Sequence, residues 1–210
     1  DHKISKDNWI KICQYIRTKP DIKEVIFSGG DPLLMTDEQL KVRMDDISCI
    51  SNIKTIRFHS RIPIVLPERI DSDFINLLDS FYKKFYKKHN NLINIIIVIH
   101  CNHPNELTSE IKDVILKLKK INIIIYNQAV LLKGVNDSSE VQIALWEKGY
   151  SMGILPYYLH LLDPVAGAAH FEVSKDKAKK IIKEVQAELP GYMVPKLAQE
   201  IPGMKSKQTL

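Results

Sequence analysis

The sequence predicts a parallel α/β fold in which strands and helices alternate in a barrel-type arrangement. Three observations carry this. Short, nearly continuous apolar runs rich in β-branched residues read as strands covered on both faces. Amphipathic stretches lie between them, so that strands recur about every ~30 residues, the length of a βα unit. Each strand also ends in a chemically loaded polar tail.

The predicted strands are 24–28 (EVIFS), 54–60 (KTIRFHS), 94–100 (NIIIVIH), 122–128 (NIIIYNQ) and 153–160 (GILPYYLH). The predicted helices are 7–18, 36–50, 71–88, 109–120, 138–148 and 174–189. The first opens with Asp7 in an N-cap position. The second opens TDEQ, a capping box pairing Thr36 with Gln39. The third ends in the densest basic run, KKFYKKH at 83–89, which reads as a solvated helix end and not as a nucleic-acid surface.

A barrel is favoured over an open sheet because of the strand tails. They are Ser28-Gly29-Gly30-Asp31, His59-Ser60-Arg61, His100-Cys101-Asn102-His103, Asn127-Gln128 and Tyr157-Tyr158 with His160. In a βα barrel the C-terminal strand ends converge on one mouth. An open sheet focuses ligand groups at one switch point instead. The chain opens on Asp1, not Met, and the rhythm starts with a helix where a barrel needs a strand. It is therefore read as lacking its first βα unit. Residues 1–190 are expected to form the partial barrel and 191–210 a C-terminal segment.

Composition sets outer bounds. The 210 residues are 45% hydrophobic and 26% charged with net charge +5, an ordinary globular balance. Cys13, Cys49 and Cys101 are odd in number and widely spaced, which fits a reducing cytoplasm better than a disulfide framework. No apolar run reaches the ~18 residues of a membrane helix, and no membrane partner is expected.

Several motifs carry chemistry. Ser28-Gly29-Gly30-Asp31-Pro32 follows a strand and precedes a helix. It is either a tight βα turn or a loop whose bare backbone meets a ligand's polar end. His100 and His103, with Cys101 and Glu106, suggest zinc as one alternative and an organic ligand as another. Asp137, in GVND, is either a helix cap or a carboxylate ready for an ammonium group. Tyr158 can stack on a planar ligand, and Arg61 can pair with a carboxylate or phosphate. Lys207, in the terminal KSKQTL, is by position alone a tail lysine.

Taken together, VIFSGGDPL, RFHSRIPIVLPERI, NHPNE, NQAVLLKGVND, PYYLHLLDPVAGAAHF and GYMVPKLAQEIPG resemble the lysine 2,3-aminomutase family of radical S-adenosylmethionine (SAM) enzymes. Within it they are most similar to the bacterial branch that makes (R)-β-lysine for modification of elongation factor P. The resemblance implies a partial βα barrel of the radical SAM type and an aminomutase converting L-α-lysine to β-lysine. It implies three cofactors: a [4Fe-4S] cluster, SAM and pyridoxal 5'-phosphate (PLP). The family's CxxxCxxC cluster loop has no counterpart among the three cysteines. The cluster cysteines are expected upstream of Asp1, so this stretch alone is expected to hold no metal and to be inactive.

The resemblance places Ser28, Gly29, Gly30 and Asp31 near the methionine part of SAM, with Ser60, Arg61 and His100 lining the same side. It places Gln128 and Tyr158 around PLP. Lys207 falls at the lysine that forms the PLP Schiff base, with Lys205 as competitor. Asp137 and Glu200 fall at acidic positions that hold the substrate's distal ammonium. A homo-oligomer is implied. The rival expectations are a metal-dependent lyase of barrel fold using His100 and His103, and a non-catalytic module that only binds a cofactor.

Overall fold

The computed structural model describes residues 4–201, 203–204 and 206–210. Asp1, upstream of which the cluster cysteines are expected, lies outside the described residues. The chain forms two compact units. One runs up to Val98 and includes Lys117–Ile124; the other is Ile99–Leu116 with Ile125–Leu210.

The strands are β1 (Glu24–Phe27), β2 (Thr55–Ser60), β3 (Asn94–His100), β4 (Ile124–Val130), β5 (Leu155–His160), β6 (Lys196–Gln199) and β7 (Gln208–Thr209). They follow chain order in one sheet. Pairing is parallel at β1–β2, β4–β5 and β5–β6, and antiparallel at β6–β7. The helices are α1 (Lys6–Arg17), α2 (Asp37–Ser48), the short α3 (Ile62–Val65), α4 (Ser72–His89), α5 (Ser109–Lys120), α6 (Ser139–Met152) and α7 (Lys175–Glu188). Among the described residues no helix is long and apolar enough to cross a membrane.

In the first unit, β2 alternates buried Ile56, Phe58 and Ser60 with half-buried Thr55, Arg57 and His59. Phe58 stacks on Phe27 of β1 at 4.9 Å between ring centroids, and Phe27 lies 6.0 Å from Trp9 of α1. Trp9 donates its indole N–H to Asp46 of α2 at 2.8 Å, which satisfies its polar edge while the ring is buried. The capping box of α2 is present: Gln39 N–H donates to the Thr36 hydroxyl and Thr36 N–H to the Gln39 side chain. Helix α1 is capped by Ser5, two residues before the predicted Asp7. The basic end of α4 is tied down by Lys84–Asp45 and Lys83–Asp79 ion pairs, as a solvated helix end should be.

Strand β4 starts and ends two residues later than predicted. Asn122 takes a left-handed conformation (φ 60°) in the turn after α5, so the chain is not yet extended there. Beyond Gln128 the ladder continues to Val130, with a register shift between Asn127 and Gln128. The two polar residues read as a strand tail therefore lie inside the strand, both buried.

In the second unit a buried polar network ties β3 and β4 to the helix that follows. Asn127 accepts from Cys101 N–H at 2.9 Å and donates to Cys101 C=O at 3.0 Å. Asn102 accepts from Val130 N–H at 2.9 Å. Asn136, fully buried, accepts from Leu132 N–H at 2.7 Å and donates to the carbonyls of Asn102 and Val130 at 2.8 and 2.9 Å. Gln142 donates to Asn136 C=O at 2.8 Å and accepts from the Trp146 indole at 3.0 Å. These side chains take over backbone hydrogen bonds where the chain leaves the ladder.

Residues 191–210 contribute β6 and β7. Replacing Asn136 with Ala removes the side-chain partner of one part-buried N–H and of two part-buried carbonyls. We expect a loss of roughly 3 kcal/mol, seen as a fall in Tm of about 6–12 °C by thermal unfolding.

Candidate functional site

At the end of β1, Gly29 and Gly30 both adopt left-handed backbone (φ 86° and 62°), and a Cβ built on either meets nothing within 4 Å. Conformation, not space, requires glycine here. The turn is held by Asp31. Its carboxylate accepts from Leu33 N–H at 3.0 Å, the Ser60 hydroxyl at 2.6 Å, Arg61 N–H at 2.7 Å and Ile62 N–H at 3.3 Å. The Ser60 hydroxyl also accepts from Ile62 N–H at 3.0 Å. The predicted residues Ser28 to Asp31, Ser60 and Arg61 therefore meet at one strand-end junction. Within it Asp31 and Ser60 act as staples, while the glycine backbone and the Arg61 side chain stay exposed. Sequence reasoning missed Arg69, which donates to the carbonyls of Leu33 and Met35 at 3.1 and 3.0 Å and pairs with Asp37 at 2.6 Å. It fixes the far side of this loop, and no motif announces it.

In the second unit, His100 at the end of β3 is hydrogen-bonded to the Gln128 amide of β4. Gln128 stands opposite Tyr158 of β5, and Val130 stands opposite His160. His160 in turn stands opposite Ala198 of β6. Strand β7 returns antiparallel to β6 with Ala198 opposite Thr209 and Gln199 opposite Gln208. One further step in that register sets Glu200 opposite Lys207, and the two form an ion pair of 3.0 Å. The Lys207 Nζ lies 3.4 Å from His160 Nε2 and 5.3 Å over the Tyr158 ring. Lys207 is half-buried. Lys205, its competitor, lies outside the described residues.

The hydrogen bond and charge of Lys207 hold the Glu200 carboxyl below the usual carboxylate range, against a smaller opposing effect of desolvation. Asp137 is engaged differently. It accepts from Lys177 of α7 and from Gly134 N–H at 2.8 Å. The Lys177 hydrogen bond is the main cause of its lowered pKa. Its cap role is also corrected, since Ser138 caps α6.

The NHPNE stretch is a turn closed on itself. Glu106 accepts from Asn102 and His103 N–H at 2.7 and 2.9 Å, and His103 Nδ1 accepts from Asn105 N–H at 3.2 Å. Among the described residues no three His, Cys, Asp or Glu side chains converge as a metal site.

The fold is similar to that of solved radical SAM enzymes. Streptococcus suis SuiB bound to S-adenosylmethionine superposes with TM-score 0.60 at 13% identity, over 96% of this chain and 45% of SuiB. A radical SAM methyltransferase from Sphaerobacter thermophilus superposes with TM-score 0.55 at 15% identity, over 92% of this chain and 56% of that one. By sequence the chain is a homologue of the L-lysine 2,3-aminomutases. It is 40% identical to the Escherichia coli protein of that name over 206 residues, 98% of this chain and 57% of that protein. The chain thus spans a little over half the length of the curated relatives it matches first. No protein-family model matches it.

Removing the Lys207 charge by Lys207→Met should raise the Glu200 pKa towards that of a free glutamate, read by carbon-13 NMR titration of the carboxyl. The Asp137–Lys177 pair has the sign of a depressed carboxyl. It stabilises the fold above the unfolded aspartate pKa and loses that effect as pH falls through the lower folded value. Lys177→Met should weaken that acid-side dependence in urea unfolding measured from pH 7 to pH 2.

Proposed function

We propose that this chain is the cofactor-binding and substrate-binding part of a radical SAM, PLP-dependent aminomutase that converts L-α-lysine to β-lysine. The supporting observation is the presentation of Lys207. Its amino group stands at a strand end over an aromatic ring, beside a carboxylate and an imidazole, in a chain homologous to lysine 2,3-aminomutases.

Lys207 is the group that captures the PLP carbonyl, with Tyr158, Gln128 and His100 on the neighbouring strand ends. PLP fits this donor set: an amine for its aldehyde and a tyrosine ring to face its own. When bound, it supplies an electron-delocalising ring. For SAM, the bare backbone of Gly29 and Gly30 offers polar groups to the methionine end, with Ser28, Asp31, Ser60 and Arg61 shaping that junction. Glu200 and Asp137 supply negative charge to the substrate's distal ammonium, because a diamine substrate buried without a counter-charge is costly. Both carboxylates already hold lysine ammonium groups, which is the recognition that a lysine substrate needs.

A [4Fe-4S] cluster does not fit the residues of this chain. Cys13 and Cys101 are buried, Cys49 is exposed, and among the described residues no three cysteines converge. A CxxxCxxC segment outside these residues would supply the cluster ligands. The product is (R)-β-lysine for modification of elongation factor P, made by a self-associating cytoplasmic enzyme with no nucleic-acid partner. Residues 191–210 form the segment that delivers Lys207 to the barrel of residues 1–190.

The test is conversion. A polypeptide carrying both this chain and a CxxxCxxC segment, reconstituted anaerobically with iron, sulfide, SAM and PLP, should turn L-lysine into (R)-β-lysine by chiral chromatography. The 210 residues alone should give none. Lysine left unchanged by the reconstituted polypeptide, or rearrangement of a monoamine in its place, would contradict the proposal.

A further inference from the structure

We infer that His160 takes the proton that Lys207 must release to react with a carbonyl. This rests on the reading of Lys207 as the carbonyl-capturing lysine. An ammonium has no lone pair, so the Lys207 amine attacks only after losing a proton.

Among the described residues, the Lys207 ammonium lies 3.0 Å from the Glu200 carboxylate, 5.3 Å from the centroid of the Tyr158 ring and 3.4 Å from His160 Nε2. Glu200 brings an opposite charge to it, and Tyr158 brings the negative face of its ring. Glu200 is also a weak proton acceptor, because Lys207 itself lowers its pKa. An imidazole is the one group of the three suited to accept a proton near neutral pH.

The placement is firm. His160 is held in β5 between Val130 of β4 and Ala198 of β6, both apolar. Beside Tyr158 stand the uncharged Gln128 of β4 and the exposed Lys196 of β6. From the β7 side, Gln208 and Thr209 carry no charge. Among the described residues, the charged and titratable neighbours that the strand pairing and the ion pair place beside Lys207 and His160 include Glu200, Tyr158 and Lys196.

The step balances. Lys207 Nζ gives one proton to His160 Nε2, leaving a neutral amine and an imidazolium. The amine adds to the aldehyde carbon, water leaves, and a C=N bond replaces C=O. The one proton released overall is then passed from the His160 imidazolium to solvent.

The experiment follows the rate at which PLP forms an imine with the purified protein, by absorbance across pH, with borohydride trapping and peptide mapping to locate the adduct. The wild-type rate should show an inflection where imidazoles titrate. His160→Gln, which keeps a hydrogen-bonding side chain, should trap at Lys207 about 10²-fold more slowly at neutral pH and lack that inflection. Free imidazole should restore rate to His160→Gly, an effect that a purely structural role would not produce. A wild-type profile without the inflection overturns the inference even if both variants fold poorly. So does His160→Gln trapping at Lys207 with wild-type rate and profile, and in that case the Lys207 reading stands. Trapping that is unchanged in Lys207→Ala overturns the Lys207 reading itself.

Discussion

The register of one short antiparallel pair places Lys207 in the second unit. Strand β6 joins the sheet parallel to β5, and β7 folds back along it with Ala198 opposite Thr209 and Gln199 opposite Gln208. Because side chains alternate with a period of two, a slip of one residue would turn Lys207 to the other face. With the register as it is, a lysine near the end of the chain is drawn against Glu200, His160 and Tyr158. A single C-terminal turn thus converts a tail residue into a positioned amine. The ion pair with Glu200 is partly exposed, so its worth lies in fixing the amine's place more than in stability.

The strand ends share a second device. At the β1–β2 junction and again at β3–β4, side chains finish hydrogen bonds that the ladder leaves open. Asp31 gathers three backbone N–H groups and one hydroxyl. Asn127, Asn102 and Asn136 do the same work around Cys101 and Val130. Loops at a strand mouth need such support, since irregular backbone that is buried must find partners. The consequence for function is a division of labour. Asp31, Ser60, Glu106 and Asn136 hold the loops at the strand ends, next to the glycine backbone of Gly29 and Gly30 and the side chains of His100 and Arg61.

Much of this is legible in the sequence, and the gaps have physical causes. Five of the strands, the capping box at Thr36 and the amphipathic helices follow from periodicity and capping chemistry alone. Strand β4 is misplaced by sequence because Asn127 and Gln128 are polar, and polarity reads as a strand end. Here both are buried inside the strand, one bridging backbone and one holding His100. Strands β6 and β7 are too short to show a period, so the ladder that positions Lys207 leaves no trace in the pattern. The positions of Lys207 and of Tyr158 near it can be expected from resemblance, but His160 beside it cannot. By sequence His160 is part of a polar tail with no role of its own, because its contact to Lys207 spans 47 residues. Asp137 and Glu200 are paired by resemblance, and neither of their lysine partners can be read from spacing.

If register is what makes Lys207 a reactive amine, displacing the register must disarm it. The most direct measurement compares the wild-type protein with a variant carrying one glycine inserted between Gly203 and Met204, each soaked with PLP and examined by crystallography. In the wild type, density should run continuously from the Lys207 Nζ to the cofactor. In the insertion variant that link should be lost wherever the β6–β7 register has shifted. Continuous density at Lys207 with the register displaced, or a cofactor bound to another lysine in the wild type, would show that register does not govern this amine.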